Sequence, residues 1–575
     1  ALTGVGGKIV SAKGNYGTEM LYHHETYYDA RDGSSLVLTI DQTIQQMLEK
    51  HMQEAIAKYD VQHGAFGVVM DVNTGEILAM ATLGSYDPNR YAEILDPAVL
   101  ADLERQYDEA MEAQGQEQEE KLSAYNAAVA AARLQQWRNR VISDGYEPGS
   151  TFKSITLAAA LEEGAVKLSD GFYCSGSTSI LGRSKPLHCW KSAGHGQQTT
   201  AQALQNSCNV AFARIGIALG GEKLYEYVHK FGLTEPTGIE LQGEASGIFF
   251  DEKTLANPDS YASLASAAFG QTFKITPLQL VRAVAAVVNG GYLLEPHIVR
   301  EIQDPEGNVI ERHERTVIRQ VISQETSRTM CSLLESVVAE GTAKNAQIAG
   351  YRIGGKTGTS EKIDVLDENG NMVDDKIVSF VGIAPMDDPQ VAVLVLLKSP
   401  GPNAKAYVSG GQMAAPTVGS IMADILPVLG VQPTYSTDEA AIVDRTVPRV
   451  IGKTVAEAQT AMIESGLTCR LVGSGTTVTA QLPRSGSTIA AGSETVLYCG
   501  EEPGEETTTM IDLTGLDYES ARIRMGWSGL YINGEGAMYG TSSYITRQSV
   551  EVGTEIKVGS VVTVSLSDAS NLGRY

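Results

Sequence analysis

The chain has no run of about 18 consecutive apolar residues, so nothing in it reads as a helix crossing a bilayer. It has no secretory leader either. It opens on Ala1-Leu2-Thr3-Gly4 without an initiator Met and reads as trimmed, so a missing anchor says little about the membrane. Cations are in the minority, with 44 Lys and Arg against 69 Asp and Glu, a net charge of −25. Such a surface repels phosphate backbones and argues against nucleic acid as a partner. It argues equally against docking on an anionic membrane through a basic patch. Cysteine is scarce: six thiols are too few for a disulfide scaffold in 575 residues. No Gly-rich phosphate loop occurs, and the tyrosines form no stacking stripe.

The length implies three or four domains, and 43% hydrophobic with 20% charged residues allows a large core. Residues 1–35, rich in Gly and Tyr, read as the remnant of another domain. Leu36 to Ile40 reads as a strand, and Asp41 as the N-cap of a helix running to Tyr59. Ala65–Met70 and Glu76–Ala81 read as strands joined at Asn73-Thr74-Gly75. Residues 92–138 are dense in Ala, Glu, Gln and Leu, which predicts one long, exposed helical insertion without catalytic role. From Val141 to about Leu429 helices mix with short strands, as in a large α+β domain. Within it, Val391–Leu397 reads as a buried strand. Residues 430–445 read as a linker. Beyond it lies an internal repeat: Val447 to Gly452 aligns with Met510 to Gly515, and Gly466 with Gly529, each at an offset of 63. Each copy, 446–501 and 508–568, reads as a helix followed by three strands.

The chemistry lies in three short segments. Pro148-Gly149-Ser150-Thr151-Phe152-Lys153 places Ser150 at a turn opening a helix, with Lys153 three residues on and on the same face. A serine hydroxyl needs a base within hydrogen-bond reach, and a lysine serves once burial lowers its pKa. The helix N-terminus favours negative charge developing near Ser150. Ser207-Cys208-Asn209 follows, then Lys356-Thr357-Gly358-Thr359 after a strand-like stretch. The last offers a cation, hydroxyls and an open backbone to a carboxylate, with Gly358 allowing close approach. Any one segment matches by chance in a long chain, and a loop serine or surface lysine is then the plainer reading. Their order, spacing and flanks together leave that reading little room.

These segments resemble the Ser-x-x-Lys, Ser-x-Asn and Lys-Thr-Gly motifs of penicillin-recognising enzymes. Leu38 to Asp41, Thr74 to Met80, Tyr86 to Asn89, Asn139-Arg140, Gly270-Gln271, Thr276 to Gln279 and Phe380 to Pro385 are similar to class B penicillin-binding proteins. The repeats resemble PASTA modules. Thr272 departs from the family's usual residue after Gly-Gln, and Asp71-Val72-Asn73 is a milder variation. The resemblance implies an α+β transpeptidase domain over 36–429, an antiparallel sheet flanked by helices, then two small α/β PASTA modules. It implies a monofunctional D,D-transpeptidase acting on D-Ala-D-Ala stem peptides and inhibited covalently by β-lactams. Ser150 would be the nucleophile, Lys153 its base, and Ser207 a proton relay with Lys356 close by. Asn209 would orient the substrate amide, Thr357 and Thr359 would engage the terminal carboxylate, and Ser150 and Thr359 N–H groups would form the oxyanion hole. The chemistry needs no cofactor. The resemblance further implies the outer face of the cell membrane, an N-terminal anchor not in this chain, a glycosyltransferase partner, and a division or sporulation role. A β-lactam sensor, a β-lactamase or carboxypeptidase, and a wall-binding protein without turnover are the alternatives.

A second cluster is read from the residues alone. Cys174, His188, Cys189, His195 and Cys208 fall within 35 positions, and Cys208 sits inside Ser-x-Asn. Three thiols and an imidazole suit a structural zinc held by Cys174, Cys189, His195 and Cys208, with His188 as the alternative ligand. A Cys174–Cys189 disulfide and three inert thiols remain open. Cys469 and Cys499 are either paired or free, and Cys331 reads as a core residue of a helix from Glu325 to Glu340.

Overall fold

The computed structural model describes residues 2–11, 25–84, 86–361, 376–401, 403–404, 406–435, 443–536 and 543–568. Part of the N-terminal remnant (12–24) and of the 430–445 linker (436–442) lies outside them. No helix among the described residues is long and apolar enough to cross a membrane.

A five-stranded sheet forms the centre. Its strands are β1 (Ala65–Asp71), β2 (Ile77–Leu83), β3 (Gly354–Glu361), β4 (Lys376–Ala384) and β5 (Val391–Lys398). They lie in the order β3-β4-β5-β1-β2, every pair antiparallel. β5 is buried at seven successive positions, Val391 to Leu397, as its unbroken apolar run requires of a strand covered on both faces. Helix α1 (Gln42–Tyr59) starts where Asp41 accepts from the Thr43 and Ile44 N–H groups at 2.8 and 3.0 Å. The β1–β2 turn closes at Gly75, whose φ of +88° suits glycine; a Cβ there would meet Glu295 O at 2.5 Å.

The 92–138 insertion is not one helix. It is a hairpin of α2 (Pro97–Glu112) and α3 (Gln116–Gln136), broken at Gly115 with φ +62°. Tyr107 stacks on Tyr125 at 5.3 Å, and Trp137 Nε1 donates to Tyr91 O, so the two ends meet. The break falls at Gly115, the segment's one glycine, and folding back covers Leu103 and Ala110 of the first helix.

The serine-bearing turn leads into α4 (Lys153–Glu162), and the second motif opens α5 (Asn209–Leu219). Helix α6 (Pro277–Val288) is buried at all twelve residues and packs on β1 and β5. α7 (Gln324–Ala339) packs along β3, and α8 (Ala414–Val428) joins α1 over the sheet. Cys331 is half-buried on α7. Of the sheet's two edges, β3 is the one that carries Lys356 to Thr359.

Each C-terminal repeat has one helix, Val455–Glu464 or Tyr518–Trp527, against a three-stranded sheet, and beside the expected three strands a two-stranded pair, Arg445–Thr446 with Thr488–Ile489 or Thr507–Thr509 with Glu555–Lys557. In both, the first and last strands pair parallel and the middle one antiparallel to the last. Cys469 faces Thr495 and Cys499 faces Gly473, at opposite ends of one ladder, and both thiols are free. The repeats join: Tyr531 Oη donates to Glu494 O at 2.9 Å, and Asp444 accepts from Tyr518 Oη and the Gly534 N–H at 2.5 and 2.8 Å.

Candidate active site

Ser150 sits on a 3₁₀ turn, Gly149–Phe152, that opens α4, in keeping with the turn the sequence placed there. The tighter winding nearly eclipses positions i and i+3. Lys153 Nζ therefore lies 2.9 Å from Ser150 Oγ. Gly149 makes the turn possible, with φ +55° and its N–H on Gly270 O at 2.9 Å. The fit is tight: a Cβ on Gly270 would stand 1.9 Å from Gly149 O.

Lys153 is fully buried. Its Nζ has four oxygens in reach: Ser150 Oγ, Ser207 O at 2.7 Å, Ser207 Oγ at 3.1 Å and Asn209 Oδ1 at 2.8 Å. An ammonium can donate to three of the four, and a neutral amine can donate to two while accepting the Ser150 hydroxyl, so the cage admits both forms. Burial favours that neutral form and lowers the Lys153 pKa to about 8. Lys356, also fully buried, reaches Ser207 Oγ at 3.0 Å. Burial, then the charge of Lys153, pushes its pKa well below the ordinary lysine range. Ser207 thus bridges two lysines. It does so from a left-handed backbone, φ +52°, a strained conformation for serine held where the chain enters α5.

On β3, Thr357 Oγ1 lies 3.1 Å from Thr342 Oγ1, and Thr359 Oγ1 accepts from the Gly410 N–H at 3.2 Å. A Cβ on Gly358 would meet Ser379 Oγ at 2.4 Å and Pro148 O at 2.9 Å. The close approach that requires glycine there includes the protein's own serine turn as well as any substrate. Thr342, Gly410 and the Gly270 contact were not picked out from sequence; Gly270-Gln271 alone carried a signal.

All six thiols are free, so no Cys174–Cys189 disulfide forms. Cys174, Cys189, His195 and Cys208 converge instead, with ligand atoms all within 4.8 Å of one another. Cys189 Sγ lies 3.9 Å from Cys208 Sγ and 3.6 Å from His195 Nδ1. Bonds of about 2.3 Å to sulfur and about 2.0 Å to nitrogen give tetrahedral edges of roughly that size. His188 is exposed on a two-residue strand facing Ser177 and is not among the four. Hydrogen bonding with Cys208 pulls the Cys189 thiol down, and the same contact pushes Cys208 up. Cys208 also caps α5, its Sγ accepting from the Ala211 N–H at 3.5 Å.

Residues 65–423 match the family described as penicillin binding protein transpeptidase domain, and residues 445–498 and 508–568 match the PASTA domain. The chain belongs to the penicillin-binding protein transpeptidases. Stage V sporulation protein D of Bacillus subtilis is 38% identical over 501 residues, covering 85% of this chain and 69% of that one. Peptidoglycan D,D-transpeptidase FtsI of Escherichia coli is 28% identical, covering 76% of this chain and 63% of that one. Penicillin-binding protein 3 of Mycobacterium tuberculosis, complexed with aztreonam, superposes with a TM-score of 0.56 at 27% identity, over 71% of this chain and 84% of that one. Penicillin-binding protein 2X of Streptococcus thermophilus shares the fold over 99% of this chain and 77% of that one, with a TM-score of 0.56 and 21% identity. A class B penicillin-binding protein with two PASTA repeats, and its α+β transpeptidase fold, are thereby established; the family's acyl transfer needs no cofactor.

Proposed function

We propose that this penicillin-binding protein cross-links peptidoglycan stem peptides through an acyl-enzyme on Ser150, in septal or sporulation wall synthesis. The observation that carries the reading is the buried Lys153 amine 2.9 Å from Ser150 Oγ, with Ser207 Oγ shared between Lys153 and Lys356. Neutral Lys153 takes the Ser150 proton as Oγ attacks the carbonyl between two D-alanines. Backbone N–H groups of Ser150 and Thr359 receive the oxyanion. The C–N bond breaks as a proton passes from the Lys153–Ser207–Lys356 group to the leaving D-alanine amine. A second stem peptide's amine then attacks the ester and frees Ser150. Thr357 and Thr359 hold the terminal carboxylate, and Asn209, now bonded to Lys153, turns its amide to the substrate. β-Lactams enter as donor mimics. The enzyme works at the outer face of the membrane through an N-terminal anchor, beside a glycosyltransferase that supplies glycan. Intact-mass analysis after mixing with a penicillin tests the chemistry: one adduct, mapping to Ser150, is expected, and an adduct that persists in Ser150→Ala would overturn it.

Cys174, Cys189, His195 and Cys208 hold a structural zinc in this reading. Besides the interatomic spacings, the Cys189 and Cys208 thiols and His195 Nδ1 meet only through weak, long contacts. A metal would bind three thiolates and Nδ1 and brace the loop before Ser207. About one equivalent of zinc in protein purified without chelator is the expected result. Metal-free protein with three titratable thiols would exclude it.

A further inference from the structure

The chain is strongly acidic, yet no Asp or Glu occurs from Gly171 to Gly221. With 69 acidic residues in 575, about six would be expected in a span of that length. The same span carries Arg183, Lys185, Lys191 and Arg214, all exposed. It is also the span that builds one side of the active site. Ser177–Thr178 and Leu187–His188 form a two-stranded hairpin whose tip loop bears Arg183 and Lys185. The hairpin's end touches the catalytic motif: Asn209 Nδ2 donates to His188 O at 3.4 Å. Lys191 follows Trp190, whose indole Nε1 donates to Asn206 O at 3.0 Å, one residue before Ser207. Arg214 lies on α5, just over one turn beyond Asn209, with a guanidinium nitrogen 3.5 Å from Thr178 Oγ1 on the hairpin. The four cations thus lie on the hairpin tip, beside Trp190 and on α5, and the span itself holds no carboxylate; from the end of α7, Glu340 accepts from Gln205 Nε2 at 3.4 Å.

We propose that this wall is a specificity surface for the donor peptide: Lys185 and Lys191, with Arg183 and Arg214 behind them, bind free carboxylates on the stem peptide upstream of its D-Ala-D-Ala end. The proposal rests on the transpeptidase reading and names a substrate class within it, stems carrying carboxylates rather than carboxamides. The physical case is local. Asn209 stands at the donor amide in that reading, so the hairpin runs beside the donor chain. An overall net charge of −25 disfavours an acidic peptide, and a stretch of cations without carboxylates of its own beside the site opposes that repulsion locally. Lys185 and Lys191 are solvent-facing and free to follow a flexible ligand.

The test uses full-length Ser150→Ala protein, so that binding is read without turnover, and two fluorescent stem pentapeptides ending in D-Ala-D-Ala. One carries its free carboxylates and the other has them amidated. Anisotropy should show the carboxylate peptide binding about tenfold tighter at low salt, with the preference shrinking at about 0.3 M salt. Adding K185E and K191E together should remove the preference while leaving the amidated peptide and the thermal midpoint unchanged. Equal affinities for the two peptides, or a preference that survives the double charge reversal, would overturn the proposal. Penicillin labelling of the parent protein is read separately: its failure would count against the acyl-enzyme chemistry, whereas the affinity ratio alone judges the wall.

Discussion

Two buried polar clusters meet at Ser207-Cys208-Asn209, and they are completed in different ways. On the catalytic side every nitrogen and hydroxyl finds a protein partner: Lys153 has four oxygens, and Lys356 and Ser207 bond each other. On the sulfur side, Cys189 meets His195 Nδ1 and Cys208 only at 3.6 and 3.9 Å, contacts too long to complete the group. Buried polar groups are ordinarily satisfied, so the contrast separates a self-sufficient network from one built around something else. Adjacent residues of one tripeptide serve both, because the chain turns sharply at Ser207 and sends neighbouring side chains in opposite directions.

The contrast can be broken from either side. Ser150→Ala should abolish penicillin adduct formation entirely while keeping the metal content, and Lys153→Ala should slow acylation by about 10³-fold; mass spectrometry and metal analysis read both. A variant that lost adduct and metal together would merge the two clusters into one. Next in size, Cys189→Ala should release the metal, lower stability by about 2 kcal/mol or more in thermal unfolding, and slow acylation roughly tenfold through the loop before Ser207. Unchanged metal content would remove Cys189 from the site.

A pH series sharpens the comparison further. Lys153, lowered to about 8 by burial, must be neutral to act as base, so the acylation rate should climb as pH rises and level off above about 8. A flat profile between about pH 6 and about pH 9 would exclude Lys153 from that role. The smallest effect expected is that of Trp190→Phe. It removes one half-exposed hydrogen bond to Asn206 O, worth about 1 kcal/mol, and should leave metal content untouched.

Much of the fold could be read residue by residue. Asp41 as a cap, Asn73-Thr74-Gly75 as a turn and Val391–Leu397 as a buried strand are local statements, and local physics settles them. The 92–138 segment is the exception. Propensity is high across it except at Gly115, a local signal the reading as one helix passed over, and the structure breaks the segment there. The candidate site shows the same division. Ser150, Lys153, Ser207, Asn209 and Lys356 were legible because they match, in order, the motifs of penicillin-recognising enzymes. The sequence put His195 ahead of His188 but kept both, and the structure gathers His195 with the three thiols while leaving His188 exposed.

Sequence alone therefore determined the family, the repeat architecture and the residues able to do the chemistry, because each is written in contiguous segments under short-range rules. Tertiary structure decided the rest. It set a lysine pKa through burial, gave Ser207 two lysine neighbours from separate elements, and made Gly358 a packing requirement between β3 and the serine turn. It also gathered three thiols and one imidazole into a single tetrahedral space. These properties depend on dielectric environment and on distances between atoms far apart in the chain, and neither quantity exists until the chain has folded.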